Sequence, residues 1–154
     1  MQQNPKSQLR IIMSKHPDLK DLTAPEAHQL LQQDPSAILV DIRSFMEFMY
    51  IGHALGSVHV PWVDEPDWTV NEDFVTDIRK LTLGGVSQVA GKPVPIILIC
   101  RSGKRTIEAG NTLIDEGITN VFHVSEGFEG DLDDQHQRGN INGWRYHNLP
   151  WRQS

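Results

Sequence analysis

The chain has 154 residues, enough for one compact domain with a sizeable core and too few for a multidomain machine. Its net charge of −6 argues against general nucleic-acid or anionic membrane binding, and 38% hydrophobic with 22% charged residues is ordinary for a soluble protein. One cysteine excludes an internal disulfide, a Cys-x-x-Cys pair and a thiolate zinc cage; no apolar run reaches membrane-spanning length and the start lacks a secretory leader, so a cytoplasmic location is expected.

In chain order, Gln8 to Ser14 reads as a short helix. Thr23-Ala24-Pro25-Glu26 is a stronger signal: Thr23 can cap a helix, Pro25 suits its first turn, and Glu26 holds the reciprocal capping-box position. A helix from Ala24 to Gln33 follows. Ala37 to Asp41 is a short apolar run after a Pro-Ser turn, the pattern of a strand buried on both faces. A helical turn over Phe45 to Tyr50, breakers at Gly52 and Gly56, and a brief strand at Val58 to Val60 stopped by Pro61 come next. Phe74, Ile78 and Leu81 share a helix face, predicting a helix over Glu72 to Leu83. Pro95 to Cys100 is the strongest strand, Thr106 to Glu116 a helix ended by Gly117, and Val121 to Val124 another strand. Strands alternating with helices imply an α/β fold with a mainly parallel sheet covered on both faces.

The segment with chemical content is Cys100-Arg101-Ser102-Gly103-Lys104-Arg105-Thr106, between the strongest strand and the next helix. Ligands of open α/β sheets bind at the carboxyl ends of strands. A short strand-to-helix loop can aim its amides inward, and the helix N-terminus and three cations add positive field. The loop is suited to an anion. The same field acts on Cys100, since an ordinary thiol of pKa about 8.5 is only ~3% thiolate at pH 7. Making it mostly thiolate needs about 2.7 kcal/mol, and one cation about 4 Å away supplies roughly that at an effective dielectric near 20. A lone cysteine closing an apolar strand is more often a small core residue. Converging cations tip the reading toward a reactive thiolate.

Two separated motifs then carry a resemblance. The first is Val40-Asp41-Ile42-Arg43 with Glu47-Phe48, Gly52-His53, Gly56-Ser57 and Val60-Pro61; the second is the loop from Cys100 to Thr106. Together they resemble single-domain rhodaneses of the rhodanese-like sulfurtransferase superfamily, over roughly Leu22 to Trp151. The resemblance implies an N-terminal extension over 1–21 and a rhodanese-like domain over 22–151, a small α/β/α sandwich. It implies that Cys100 accepts a sulfane sulfur from a small anionic donor such as thiosulfate. The sulfur then passes to cyanide, a thiol or a protein, with no metal or organic cofactor. Arg101, Ser102, Gly103, Lys104, Arg105 and Thr106 would bind substrate, with Asp41, Arg43 and Glu47 in support. Arg105 is the expected structural clamp, bridging Asp41 or Glu47, while Arg101 and Lys104 face the mouth. Glu47 stands where some thiosulfate-preferring members carry arginine. Glu126-Gly127-Phe128 stands where the family often has two glycines, and Gly130-Asp131 follows in place of a tryptophan. These departures are expected to bear on the rim.

The remaining features have structural readings. Asp41 and Arg43 suit an ion pair supporting the neighbouring loop. His53 and His59 read as structural, and the seven histidines show no metal-ligand spacing. Gly85 to Lys92 lacks phosphate-loop spacing. Glu126, Glu129, Asp131, Asp133 and Asp134 read as a solvated turn rather than a calcium loop. Trp62 to Trp68 is either a mouth of the site or an insertion. The tail from Gly139, with Trp144, Pro150 and Trp151, is too aromatic for a disordered end and should pack back on the domain. A cysteine phosphatase or arsenate reductase would carry five residues between Cys and Arg, where Cys100 and Arg105 have four. A non-catalytic binding module is the rival from another class.

Overall fold

The computed structural model describes residues 14–83 and 92–154. The expected helix over Gln8 to Ser14 and the Gly85 to Lys92 segment lie outside these, apart from Ser14 and Lys92. The elements are β1 (Lys20–Leu22), α1 (Ala24–Gln33), β2 (Ile38–Asp41), a π-helical turn (Glu47–Ile51), β3 (His53–Ala54), β4 (Val58–His59), α2 (Phe74–Thr82), β5 (Ile96–Ile99), α3 (Arg105–Asp115), β6 (Val121–Val124) and β7 (Trp151–Arg152). Five strands form one parallel sheet in the order β1-β6-β5-β2-β4, and β3 pairs antiparallel with β7 beside it. The sheet starts at Lys20, and Leu19 is fully buried, so the packed unit takes in residues ahead of position 22.

Strand alternation divides the core. Ile96, Leu98 and Cys100 pack on one face with Phe74 and Ile78 of α2 and Ala109 and Leu113 of α3. Ile97 and Ile99 face the other way, against Ala24 and Ala27 of α1 and against Phe128 and Trp144. Both faces of β5 are therefore buried, which is why it reads as an unbroken apolar run.

α1 begins as expected: the Glu26 amide donates to Thr23 Oγ1 at 3.2 Å and the Thr23 amide to Glu26 Oε1 at 2.9 Å. α2 starts two residues later than expected because Asn71 Oδ1 takes the Asp73 amide at 3.0 Å, a local turn that competes with helix. The turn after β2 is π-wound, with the Gly52 amide reaching Glu47 O at 3.3 Å. The tail folds back as expected. Trp144 is buried with its indole N–H on Pro150 O at 2.8 Å, and Trp151 meets Phe128 edge-on at 5.9 Å between ring centres. Among the described residues, no helix is long and apolar enough to cross a membrane.

Candidate active site

The registers of β2, β5 and β6 bring Asp41, Ile99 and Val124 to one end of the sheet, and the segments that follow these strands meet there. The middle one runs from Cys100 to α3. Cys100 is 1% exposed, and its Sγ accepts the Gly103 amide at 3.2 Å. Gly103 has φ +93°, and a Cβ there would collide with the Ser125 carbonyl, so both the turn and the close approach demand glycine. From below, the Phe128 amide donates to Cys100 O at 2.8 Å. The Glu129 and Gly130 amides both reach Arg101 O, at 3.0 and 3.2 Å. Gly127, at φ +69°, allows this, because a side chain would meet the Arg101–Ser102 peptide. The Glu126 to Gly130 turn thus holds the loop backbone itself, where the sequence pointed only to the rim. Amides do the holding, so side-chain identity hid it.

Arg105, Lys104 and Arg101 part company. Arg105 forks onto Glu47, Nη1 to Oε1 at 2.8 Å and Nη2 to Oε2 at 2.9 Å. Burial works against both charges. The pairing outweighs it, holding the Glu47 carboxyl below its ordinary range and the Arg105 guanidinium above its own, the latter helped by neighbouring Cys100 and Asp41. Arg101 and Lys104 are exposed, Ser102 is half-buried, and Thr106 is buried with its hydroxyl 3.8 Å from Cys100 Sγ. Asp41 and Arg43 form the expected pair, fully buried, with Arg43 Nη2 to Asp41 Oδ2 at 2.7 Å and to Gly52 O at 2.6 Å. The Arg43 guanidinium also lies over the Phe128 ring at 4.6 Å.

The Trp62 to Trp68 segment acts at one remove. Asp64 Oδ1 accepts the Phe45 amide at 3.0 Å and Glu65 Oε1 the Met46 amide at 3.2 Å, so the segment holds the start of the turn that carries Glu47. His53 and His59 are structural: Phe48 stacks on both rings, at 3.8 and 4.7 Å, and His59 Nε2 meets Arg43 O at 2.7 Å. Of the acidic turn, Glu126 pairs with His147 at 3.0 Å and Glu129 with Arg145 at 3.6 Å, and both side chains are largely buried, not solvated. Among the described residues, no three His, Cys, Asp or Glu side chains are grouped to hold a metal ion. Sequence reasoning missed a chain beneath the loop. Thr106 Oγ1 lies 2.8 Å from His123 Nδ1, and His123 Nε2 lies 2.8 Å from Asp21 Oδ1. Its members are 17 to 102 positions apart, and only the strand register brings them together.

The model of the rhodanese-like domain matches residues 23–133. A Haemophilus influenzae protein named thiosulfate sulfurtransferase GlpE is 31% identical over 111 residues, covering 72% of this chain and 86% of that one. The Rickettsia conorii protein RC0915 is 26% identical over 140 residues, covering 87% of this chain and 98% of its own. Among solved structures, Rv0390 from M. tuberculosis superposes with a TM-score of 0.73 at 35% identity, covering 88% of this chain and 98% of that chain.

Proposed function

The chain belongs to the rhodanese-like domain family, and from that premise we propose that it is a sulfurtransferase working through a persulfide on Cys100. The observation that carries the reading is the seat of the single thiol, at the floor of a closed loop with the Gly103 amide donating to its sulfur. A thiolate there attacks the outer sulfur of a small anionic donor such as thiosulfate. A sulfur–sulfur bond forms to Cys100, the donor's own sulfur–sulfur bond breaks, and sulfite leaves with the electron pair. The resulting persulfide is an anion suited to the loop amides and the start of α3. Cyanide, a thiol or a protein acceptor then takes the outer sulfur and returns the thiolate, a cycle that needs one cysteine. Exposed Arg101 and Lys104 draw in the donor.

Phosphate chemistry is the poorer fit. Arg105 would have to present its guanidinium to a tetrahedral oxyanion, and both of its terminal nitrogens are spent on Glu47. Intact mass measurement after incubation with thiosulfate or a polysulfide tests the reading. The protein should gain one sulfur, lose it to cyanide as thiocyanate, and Cys100→Ser should gain none while remaining folded. No added sulfur from either donor would overturn the proposal.

A further inference from the structure

Cys100 is sealed from below by the Glu126 to Gly130 turn, yet one polar path leads from its sulfur toward solvent without passing the mouth. It runs from Cys100 Sγ to Thr106 Oγ1 at 3.8 Å, within reach of a sulfur hydrogen bond, and on to His123 Nδ1 at 2.8 Å. From His123 Nε2 it continues to Asp21 Oδ1 at 2.8 Å. The side chain of His123 is 3% exposed and that of Asp21 56%, so the path begins in the core and ends in water. We propose that Thr106, His123 and Asp21 form a proton relay that draws the proton off the Cys100 thiol and turns the Thr106 hydroxyl onto the thiolate.

The hydrogen-bond inventory sets the direction. A carboxylate only accepts, so the His123 proton sits on Nε2, facing Asp21, and Nδ1 is left as an acceptor. Thr106 must then donate its hydroxyl proton to Nδ1 and turn a lone pair to Cys100, which accepts the S–H. Among the described residues, the charged and titratable groups set against His123 are Asp21 from β1, Lys15 3.2 Å from Asp21, and Cys100 beyond Thr106. Burial pushes the imidazole below its ordinary value and outweighs the pull of Asp21, with Lys15 opposing the charge as well. Burial alone would raise the Asp21 carboxyl, but bonds from His123 and Lys15 hold it below its ordinary value. At neutral pH the resting pair is therefore neutral imidazole and carboxylate, with Nδ1 unprotonated toward Thr106, and protonation of the ring depends on the negative charge that forms on Cys100.

The transfer is a double exchange in which nothing is oxidised. The S–H bond breaks as a new O–H bond forms on Thr106, and the original Thr106 proton moves to Nδ1. The products are thiolate, hydroxyl and an imidazolium whose Nε2–H stays on Asp21. The hydrogen bonds between ring and sulfur now both run toward the sulfur: Nδ1–H to Thr106, and Thr106 O–H to Sγ. An anion on Cys100 and a proton on His123 thus favour each other. Thr106 and His123 are positioning residues on this reading, since neither exchanges atoms with a sulfur donor.

The inference deepens the sulfur-transfer reading, but its test needs no sulfur. With one cysteine in the chain, ultraviolet thiolate absorbance against pH, corrected with Cys100→Ser, reads the site alone. Thr106→Val and His123→Gln should each move the appearance of the thiolate band up by about one pH unit, roughly tenfold less thiolate at a given pH. Thr106→Ser, which keeps the hydroxyl, should follow wild type. If Thr106→Val or His123→Gln fails to fold, the reciprocal effect is read on folded proteins. The His123 ring should titrate at higher pH by NMR in wild type than in Cys100→Ser. Wild-type thiolate curves in both variants, or equal His123 titrations in the two folded proteins, would overturn the relay. A protein that shows the coupling yet takes no sulfur from any donor would overturn the functional reading and leave the relay standing.

Discussion

Lys104 and Arg105 are adjacent in sequence and opposite in setting. Arg105 is partly buried and forked onto Glu47, a planar two-bond geometry that a lysine ammonium cannot reproduce. Arg105→Lys should cost about 1–2 kcal/mol, between exposed-pair and buried-pair values, and lower Tm by ~2–8 °C in a domain of this size. Lys104 is exposed, and Lys104→Ala should leave Tm unchanged while raising KM for thiosulfate about 2–5-fold, the scale of one screened charge. That rise should shrink at high salt, where the Debye length falls to about 3 Å at 1 M. Thermal melts and kinetics at two salt concentrations separate the roles; a destabilised Lys104→Ala with an undisturbed Arg105→Lys would reverse them. Sequence pattern carried much of this, because a run of three cations around a small loop leaves room for only one to turn inward. It could not choose between Asp41 and Glu47 as the clamp's partner. That choice depends on Arg43 having taken Asp41, in a pair whose two side chains are both fully buried.

Among the elements, the π-helical turn Glu47–Ile51 does the most for the site with the fewest residues. It carries Glu47 at its first position, and its entry is held by carboxylates from the Trp62 to Trp68 segment. Both Glu47 and Asp64 are held below the ordinary carboxylate range. In each case burial acts in the opposite direction and is outweighed, by Arg105 for Glu47 and by the Phe45 and Glu65 bonds for Asp64. A carboxyl lowered in the folded state stabilises above its unfolded pKa, and that stability is lost as pH falls through the folded value. Melting temperature should therefore hold from neutral pH down to about pH 4–5 and drop steeply below it. Asp64→Ala should cost about 1–2 kcal/mol at neutral pH, the scale of hydrogen bonds to a charged acceptor, and soften the acid drop. Identical acid profiles for Asp64→Ala and wild type would show that the segment does not hold the turn. The long elements were legible because each carries its own signal: α1 a capping box, β5 an unbroken apolar run. β1, β3 and β7 were not read, since strands of two or three residues show no periodicity and exist only through their partners.

At the scale of the molecule, the site is an agreement among distant parts. The loop after β5 supplies the sulfur, the turn after β2 supplies Glu47, the turn after β6 supplies the amides under the loop, and β1 supplies Asp21. The α/β class followed from the alternation of strands and helices. The strand order did not, because nothing local states that β1 lies beside β6. The aromatic tail could be expected to fold back, but its landing place, β7 on β3 with Trp151 against Gly52, is set by tertiary fit. The amides of Phe128, Glu129 and Gly130 that seat the loop have a consequence in time as well as in space. Helices close over a few residues, whereas these bonds and the Asp21–His123 contact require long loops to close first. Reactivity should thus be the last property a refolding chain regains. After dilution from denaturant, helical circular dichroism should recover ahead of sulfur uptake at Cys100 in a stopped-flow or quenched experiment. Simultaneous recovery of both signals would mean that the loop is seated in the same step that forms the helices.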